Sequence, residues 1–160
     1  MATKNQLYCN YTVGVISDTH GLLRREAAKA LEGTDLIIHA GDIGKPEVLE
    51  ALRAIAAVSA VRGNMDVGVW TGGLPETEVV EIGEVLLYVL HDASNMDLDP
   101  GAAGFSAVIS GHTHRASIDW RGGVLYLNPG TAGPFSSPVS VAVLHLSGKS
   151  LQAKVIELEP

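Results

Sequence analysis

Three short apolar runs, residues 13–17, 36–39 and 58–61, are separated by two segments, residues 22–31 and 46–57, with apolar positions at helical spacing. A strand that reaches a parallel neighbour needs a crossover, usually a helix, so this alternation predicts βαβ units on a parallel sheet. Gly33 stops the first helix, as glycine commonly does just past a helix end. Pro46 suits the first turn of the second, where Val48, Leu49, Leu52, Ile55 and Ala56 form one apolar face.

From Thr77 the texture changes. Runs at 78–82 and 85–90 flank Gly83-Glu84, runs at 116–120 and 124–127 meet around Gly122-Gly123, and runs at 139–146 and 151–158 meet around Gly148-Lys149. Glycine-led loops this short predict hairpins, so the second half is expected to be mostly antiparallel, with a further strand at 107–110. A third helix could open with Asp99 as N-cap and Pro100 at its first position, although Gly101 and Gly104 weigh against it. The fold class expected is mixed α/β: a two-sheet sandwich with helices outside. One domain over 1–160 is expected, with residues 1–11 as a polar N-terminal extension.

Composition narrows the function. Hydrophobic residues are 46% of the chain and charged residues 18%, against a usual charged share of roughly 25%. This excludes a disordered tail, which needs low hydrophobicity and high charge. Lys+Arg 11 against Asp+Glu 18 gives a net charge of −7, the wrong sign for a chain that wraps phosphate backbones, so no nucleic-acid partner is expected. Cys9 is the single cysteine. It allows neither an internal disulfide nor a thiolate zinc cluster and fits a reducing, cytoplasmic setting. Residues 1–11 lack the apolar core of a signal peptide, and no apolar run approaches the ~20 residues of a membrane span. A soluble protein is expected, and a homo-oligomer through the hairpin strands is left open.

The informative polar residues are placed alike. Asp18, His20, Asp42, Asn64, His91, His112 and His114 each lie just beyond the last apolar residue of an expected strand. Loops at the carboxyl ends of parallel strands line the ligand crevice of open α/β sheets, so these residues are expected to converge. The pairs Asp18/His20 and His112/His114 are spaced i, i+2, which on extended chain points both side chains to one face. Asp, His and Asn without Cys make a mixed nitrogen and oxygen donor set, suited to Mn, Fe, Ni or Zn. Seven donors exceed one tetrahedral ion but suffice for two ions sharing a carboxylate, a pair that can clamp a phosphate. Gly41, Gly63 and Gly111 directly precede Asp42, Asn64 and His112 and would let backbones approach closely.

Taken together, Asp18-Thr19-His20, Gly41-Asp42, Gly63-Asn64, His91 and Gly111-His112-Thr113-His114 resemble, in order and spacing, the calcineurin-like metallophosphoesterase superfamily. Asn128-Pro129-Gly130-Thr131 and the short chain look like its small bacterial and archaeal phosphodiesterase branch. The resemblance implies a four-layer α/β/β/α double β-sandwich and two divalent cations, Mn2+ first, with Fe, Ni or Zn as alternatives. By the same resemblance, Asp18, His20 and His114 would hold one ion, Asp42 would bridge, and Asn64, His91 and His112 would complete the second. A bridging hydroxide would attack phosphorus in a small phosphodiester, with Asp42, Asn64 and His91 at the reacting centre.

Two departures matter. Many phosphatases of the superfamily follow Gly-Asn with a histidine that protonates the leaving group; here Met65 stands there, followed by Asp66. General acid catalysis is typically worth roughly 10²–10⁴-fold and is needed least when the leaving group is a weak base, so activated aryl phosphodiesters are the expected substrates in vitro. Members of the small branch commonly have glycine after the histidine at the His91 position, and here Asp92 stands there. It could support a ligand, add one, or donate a proton.

Asp66 is either a supporting catalytic carboxylate or a turn residue, and Asn128 either holds the site's backbone or only shapes its own turn. His39, inside an apolar run, reads as a hydrogen-bonded core histidine, and His145 as structural or surface. Trp70 and Trp120 read as packing or partner contacts. Segment 134–137 carries no basic residue for phosphate. A competing function is a non-catalytic protein-binding scaffold like the retromer subunit of this fold; a nuclease would share the chemistry but lacks a basic track.

Overall fold

The computed structural model describes residues 10–134 and 138–159. Cys9, most of the expected N-terminal extension, and Phe135, Ser136 and Ser137 lie outside them. The extension is shorter than expected, because Asn10 and Tyr11 already belong to the first strand, paired with Ser147 and Leu146. Tyr11 packs on the core, which its aromatic ring favours over solvent.

The first half builds β1 (Asn10–Ile16), α1 (Arg25–Ala30), β2 (Leu36–His39), α2 (Pro46–Arg53) and β3 (Ala57–Ala60). β1, β2 and β3 pair in parallel, as the βαβ pattern requires. α2 is shorter than the 46–57 expected, since its final turn tightens when the Ile55 N–H bonds the Leu52 carbonyl. α1 starts three residues late, after a turn in which the Leu22 N–H bonds the Thr19 carbonyl.

The second half builds β4 (Thr77–Ile82), β5 (Val85–Leu90), β6 (Ala107–Ile109), β7 (Ser117–Arg121), β8 (Val124–Asn128), β9 (Val139–Ser147) and β10 (Ser150–Leu158). All three hairpins form where the glycine-led loops predict them. The expectation of a mostly antiparallel second half is corrected at its centre, where β5, β6 and β8 are parallel. β6 has only three residues, all buried, and a strand buried on both sides carries no alternation to announce its direction.

Two sheets result, ordered β10-β9-β1-β2-β3 and β4-β5-β6-β8-β7. The last hairpin thus leaves the second sheet and flanks β1 of the first. Between the sheets lies the main core, including Val13, Val15, Ile38, Leu87, Ile109, Leu125 and Leu144, all essentially inaccessible. On the outer face of the first sheet, Ile16 and Ile37 meet Ala27 of α1, Leu31 just past its end, and Leu49 and Leu52 of α2. Alternate strand residues therefore serve two cores, the period-two logic of a sheet covered on both faces.

The outer face of the second sheet is covered differently. Tyr88, Leu90, Val108 and Val124 pack under Met96, Leu98 and Phe105, which lie on turns. The helix expected from Asp99 and Pro100 is such a turn: Asp99 Oδ1 accepts the N–H groups of Gly101 and Ala102, and the Phe105 N–H bonds the Pro100 carbonyl. Two glycines within five residues leave too little helical stability to extend it. No helix among the described residues is long and apolar enough to cross a membrane.

Candidate metal centre

The sequence-predicted residues gather at one end of the sandwich. Parallel pairing of β1 and β2 continues past the strands: the N–H groups of Asp18, His20 and Gly21 bond the carbonyls of Gly41, Asp42 and Ile43. The loop carrying Asp18 and His20 is thereby zipped to the loop carrying Asp42. Across the seam, the Gly111 N–H bonds the His91 carbonyl, so the second sheet delivers His91 and the His112–His114 loop beside each other.

The i, i+2 pairs point inward for a different reason from the one expected. They are not extended: Asp18, His20, Asp42, His112 and His114 all have positive φ, from 49° to 73°. These are the only such non-glycine residues among the described ones, and all five are site candidates. The left-handed region is disfavoured for L residues, with Asp and His among the more tolerant types, and such strain concentrates where function demands a geometry.

Asp18 and Asp42 each have one oxygen anchored. Asp18 Oδ2 accepts from Ser17 Oγ at 2.6 Å and from the His112 N–H at 3.1 Å. Its fully buried Oδ1 has no hydrogen bond and faces His114 Nε2 at 3.3 Å and the Nε2 atoms of His20 and His91 at 3.9 Å. Asp42 Oδ1 accepts the Met65 N–H at 2.8 Å. Its Oδ2 faces His91 Nε2 at 3.3 Å and His20 Nε2 at 3.9 Å. Burial works to raise the Asp42 carboxyl, but the hydrogen bonds from His91 and Met65 and the nearby imidazole charges outweigh it and hold it below the usual value.

The imidazoles form two edge-on pairs. The rings of His20 and His114 are 5.5 Å apart and those of His91 and His112 are 5.1 Å apart. His91 Nδ1 donates to the Ala40 carbonyl at 2.7 Å, which fixes the ring and turns Nε2 toward the carboxylates, a frequent arrangement behind metal-ligating histidines. Burial works to lower the His91 imidazole, yet bonding to Asp42 and Ala40 with the two aspartate charges raises it above the usual histidine value. Donor atoms close enough to share a cation occur in two overlapping groups, Asp18 with His20 and His114, and Asp18 with Asp42 and His91. A buried anionic oxygen without a hydrogen bond, ringed by imidazole nitrogens, fits a divalent cation and is costly without one.

A supporting layer fixes these groups. His39 is fully buried: the Gly41 N–H donates to its Nδ1 at 3.1 Å, so Nε2 carries the proton and donates to Thr19 Oγ1 at 2.9 Å. Thr19 in turn donates to the Ile43 carbonyl. Burial, then the charge of His91, lowers the His39 imidazole to about 3. It is the core histidine the sequence predicts.

Asp66, expected as a supporting catalytic carboxylate or a turn residue, braces two site loops. Its Oδ2 accepts the N–H groups of Ile43 and Gly63 and its Oδ1 that of Gly44, tying the Asp42 loop to the Asn64 loop. Asn128 does both jobs considered for it. Its Nδ2 donates to the Gly111 carbonyl and to Thr113 Oγ1, and its Oδ1 accepts the Gly130 N–H. Thr131 Oγ1 donates to the Asp18 carbonyl. Ser17, Thr19 and Thr131 escaped sequence reasoning as supports; adjacency to Asp18 and to the Asn-Pro-Gly turn is the only signal that could have found them.

Two glycines are required by close approach. A Cβ on Gly63 would run into Asp42 Oδ1, and one on Gly111 would strike Ser17 Oγ and Asp18 Oδ2. The glycines before Asn64 and His112 are thus contact points between neighbouring site loops.

A cleft of about 660 Å³ opens from the centre, lined by Arg62, Asn64, His91, Asp92, Asp97 and His112, among others. Arg62 is paired with Glu76 at 3.2 Å. Met65 is 61% exposed. Asp92 Oδ2 lies 3.6 Å from His112 Nε2; hydrogen bonding from the Ser94 side chain, opposed by slight burial, holds its carboxyl below the usual range. Away from the site, His145 is exposed on β9, Trp70 packs against the helix-side core and Trp120 is half exposed.

Residues 12–149 match the model of the calcineurin-like phosphoesterase superfamily domain. A protein of Methanocaldococcus jannaschii named "Probable metallophosphoesterase" is 38% identical over 161 residues, covering 92% of this chain and 81% of its own. Among solved structures, an archaeal phosphodiesterase superposes with a TM-score of 0.75 at 23% identity, covering 91% of this chain and 99% of its own. Vps29 of Entamoeba histolytica, in a single-mutant form, gives 0.71 at 24% identity over 92% of this chain and 99% of its own. The wild-type Entamoeba protein complexed with zinc gives 0.64 at 21% identity, with the same coverage. The chain belongs to the calcineurin-like metallophosphoesterase superfamily and has its two-sheet fold. As a member it is a metal-dependent phosphoesterase by family.

Proposed function

We propose that this protein is a dinuclear metal-dependent phosphodiesterase acting on a small phosphodiester. The observation that carries the reading is the pair of anchored carboxylates, Asp18 and Asp42, each turning one oxygen toward a set of histidine nitrogens. Asp18, His20 and His114 would hold one cation, Asp42 would lie between, and Asn64, His91 and His112 would hold the other. Mn2+ is the first choice, with Fe, Ni or Zn accepted by the same donors. When bound, such a pair supplies a water-derived nucleophile at neutral pH and polarises the phosphoryl oxygens.

The protein's own residues do the positioning. Ala40 fixes the His91 ring, Ser17 and the His112 N–H fix Asp18, and the Met65 N–H fixes Asp42. Met65 carries no proton to give a departing alkoxide, so a weakly basic leaving group is favoured. The archaeal phosphodiesterase of like fold supports the diester reading. The partners proposed are therefore a small diester substrate, without nucleic acid or membrane; the single Cys9 supports a cytoplasmic setting.

The test is elemental analysis of purified protein with turnover of a bis-aryl phosphate, with and without added Mn2+. Two ions per chain and Mn2+-dependent turnover are expected, with alkyl monoesters slower by about 10²-fold or more. Equal efficiency on alkyl monoesters would overturn the diester preference. A second reading, a protein-binding scaffold, is favoured by one feature besides the likeness to Vps29: Ile118 and Trp120 are 43% and 53% exposed on strand β7. Full metal loading without turnover of any phosphoester would favour it.

A further inference from the structure

Asp92 stands where the family pattern has glycine, and the backbone there does not need one. Its φ of −117° and ψ of 108° are ordinary extended values, so the side chain is carried without strain. One oxygen is immobilised: Asp92 Oδ1 accepts both the N–H and the Oγ–H of Ser94, at 3.0 and 2.8 Å. The other, Oδ2, is directed to His112 Nε2 at 3.6 Å, beyond a hydrogen bond but close enough for both atoms to serve one cation. Asp92 lines the same cleft as Asn64, His91 and His112. The arrangement repeats that of Asp18 and Asp42, in which one oxygen is anchored and the other faces a histidine nitrogen.

We propose that Asp92 is an additional metal-facing carboxylate of this centre, adding an anionic oxygen next to His112 on the side where Asn64, His91 and His112 would hold a cation. This rests on the dinuclear reading above. Without Asp92 that position has only the shared Asp42 as an anionic donor, whereas the other has Asp18 as well; with Asp92 the cleft-side site gains hard, anionic donor character and holds Mn2+ more tightly than an otherwise identical site lacking it. The ion held by Asp18, His20 and His114 is unaffected.

The experiment titrates metal-free full-length protein with Mn2+ alone, read by equilibrium dialysis and by the loss of the free-ion electron paramagnetic resonance signal. Asp92→Asn keeps an oxygen to accept from Ser94 and removes only the charge; Asp92→Gly removes both. The wild type is expected to bind two ions. In both variants one of the two is expected to weaken by about 10–100-fold while the other keeps its affinity. Ser94→Ala, which removes the Oγ–H bond to Asp92 and keeps that of the backbone N–H, is expected to weaken the same ion less. Two wild-type ions with affinities unchanged in both Asp92 variants would overturn the role of Asp92 alone. A wild type that binds no Mn2+ would overturn the dinuclear reading itself. Thermal melting of the metal-free variants, expected to remain cooperative, separates loss of a ligand from loss of fold.

Discussion

The two sheets contribute opposite halves of the centre, and they hold their halves differently. The first supplies His20, Asn64 and both anchored carboxylates: Asp18 and Asp42 are essentially inaccessible, seated in loops laced together by backbone hydrogen bonds. The second supplies His91, His112 and His114, of which only His91 is buried; the side chains of His112 and His114 are 42% and 27% exposed. The anionic half is thus prepaid in desolvation and closely braced, whereas two of three imidazoles stand at the solvent edge of the cleft. A buried carboxylate oxygen without a hydrogen bond, such as Asp18 Oδ1, is unfavourable alone and favourable beside a cation, so the first sheet sets the affinity of the centre and the second sets its access.

The largest test of this division removes the Asp42 charge. Asp42→Asn is expected to abolish paired Mn2+ uptake and turnover, by about 100-fold or more, while the metal-free protein still melts cooperatively. Retained turnover in that variant would move the chemistry elsewhere. Proton competition points the same way: His91 must give up a proton held above the usual histidine pKa, so Mn2+ affinity should fall as the pH drops through that region.

Loosening the imidazole half comes next. Asn128→Ala deletes the bonds that hold Gly111 and Thr113 and is expected to cost about 1–3 kcal/mol in stability, with weaker metal uptake measured alongside. A change in stability with metal uptake untouched would show that the His112–His114 loop needs no brace.

The contact between loops is probed by glycine. Gly63→Ala is expected to destabilise by about 1–3 kcal/mol through its clash with Asp42. Gly72→Ala, which meets nothing within 4 Å, is expected within about 0.5 kcal/mol of wild type. Denaturant melts of the pair decide whether close approach, rather than loss of glycine as such, is what matters.

The last test concerns His39, whose effect near neutral pH is the smallest. Its imidazole is held at about 3 by burial and by the His91 charge, while an unfolded histidine titrates near ~6.5. Between those values the unfolded chain binds a proton that the folded chain does not. This residue therefore removes stability as the pH falls below the unfolded value, by at most about 1.4 kcal/mol per pH unit. His39→Gln should flatten the stability–pH slope by up to one proton in melts from neutral pH down to the acid limb; superimposable slopes would mean His39 is charged in the folded protein.

Much of this was legible in the sequence, for definite reasons. The βαβ half announced itself because helix and strand periods differ, and the hairpins because Gly83, Gly122 and Gly148 sit in loops too short for other residues. The seven candidate donors were legible because each follows an apolar run. Asp66 was not, since a carboxylate followed by no periodic pattern looks alike whether it faces a substrate or three backbone N–H groups. The i, i+2 pairs converge through left-handed backbone at five residues, and local spacing carries no record of φ.

Sequence alone determined the strand and helix segments, the excess of carboxylates, and the set of side chains able to bind a cation, because these follow from residue type and local periodicity. The tertiary structure decided that the last hairpin flanks β1, that β5, β6 and β8 run parallel, and that Asp92 faces His112. Those outcomes depend on which buried surfaces find one another across the chain, and a short, fully apolar strand such as β6 fits either direction until its neighbours are in place.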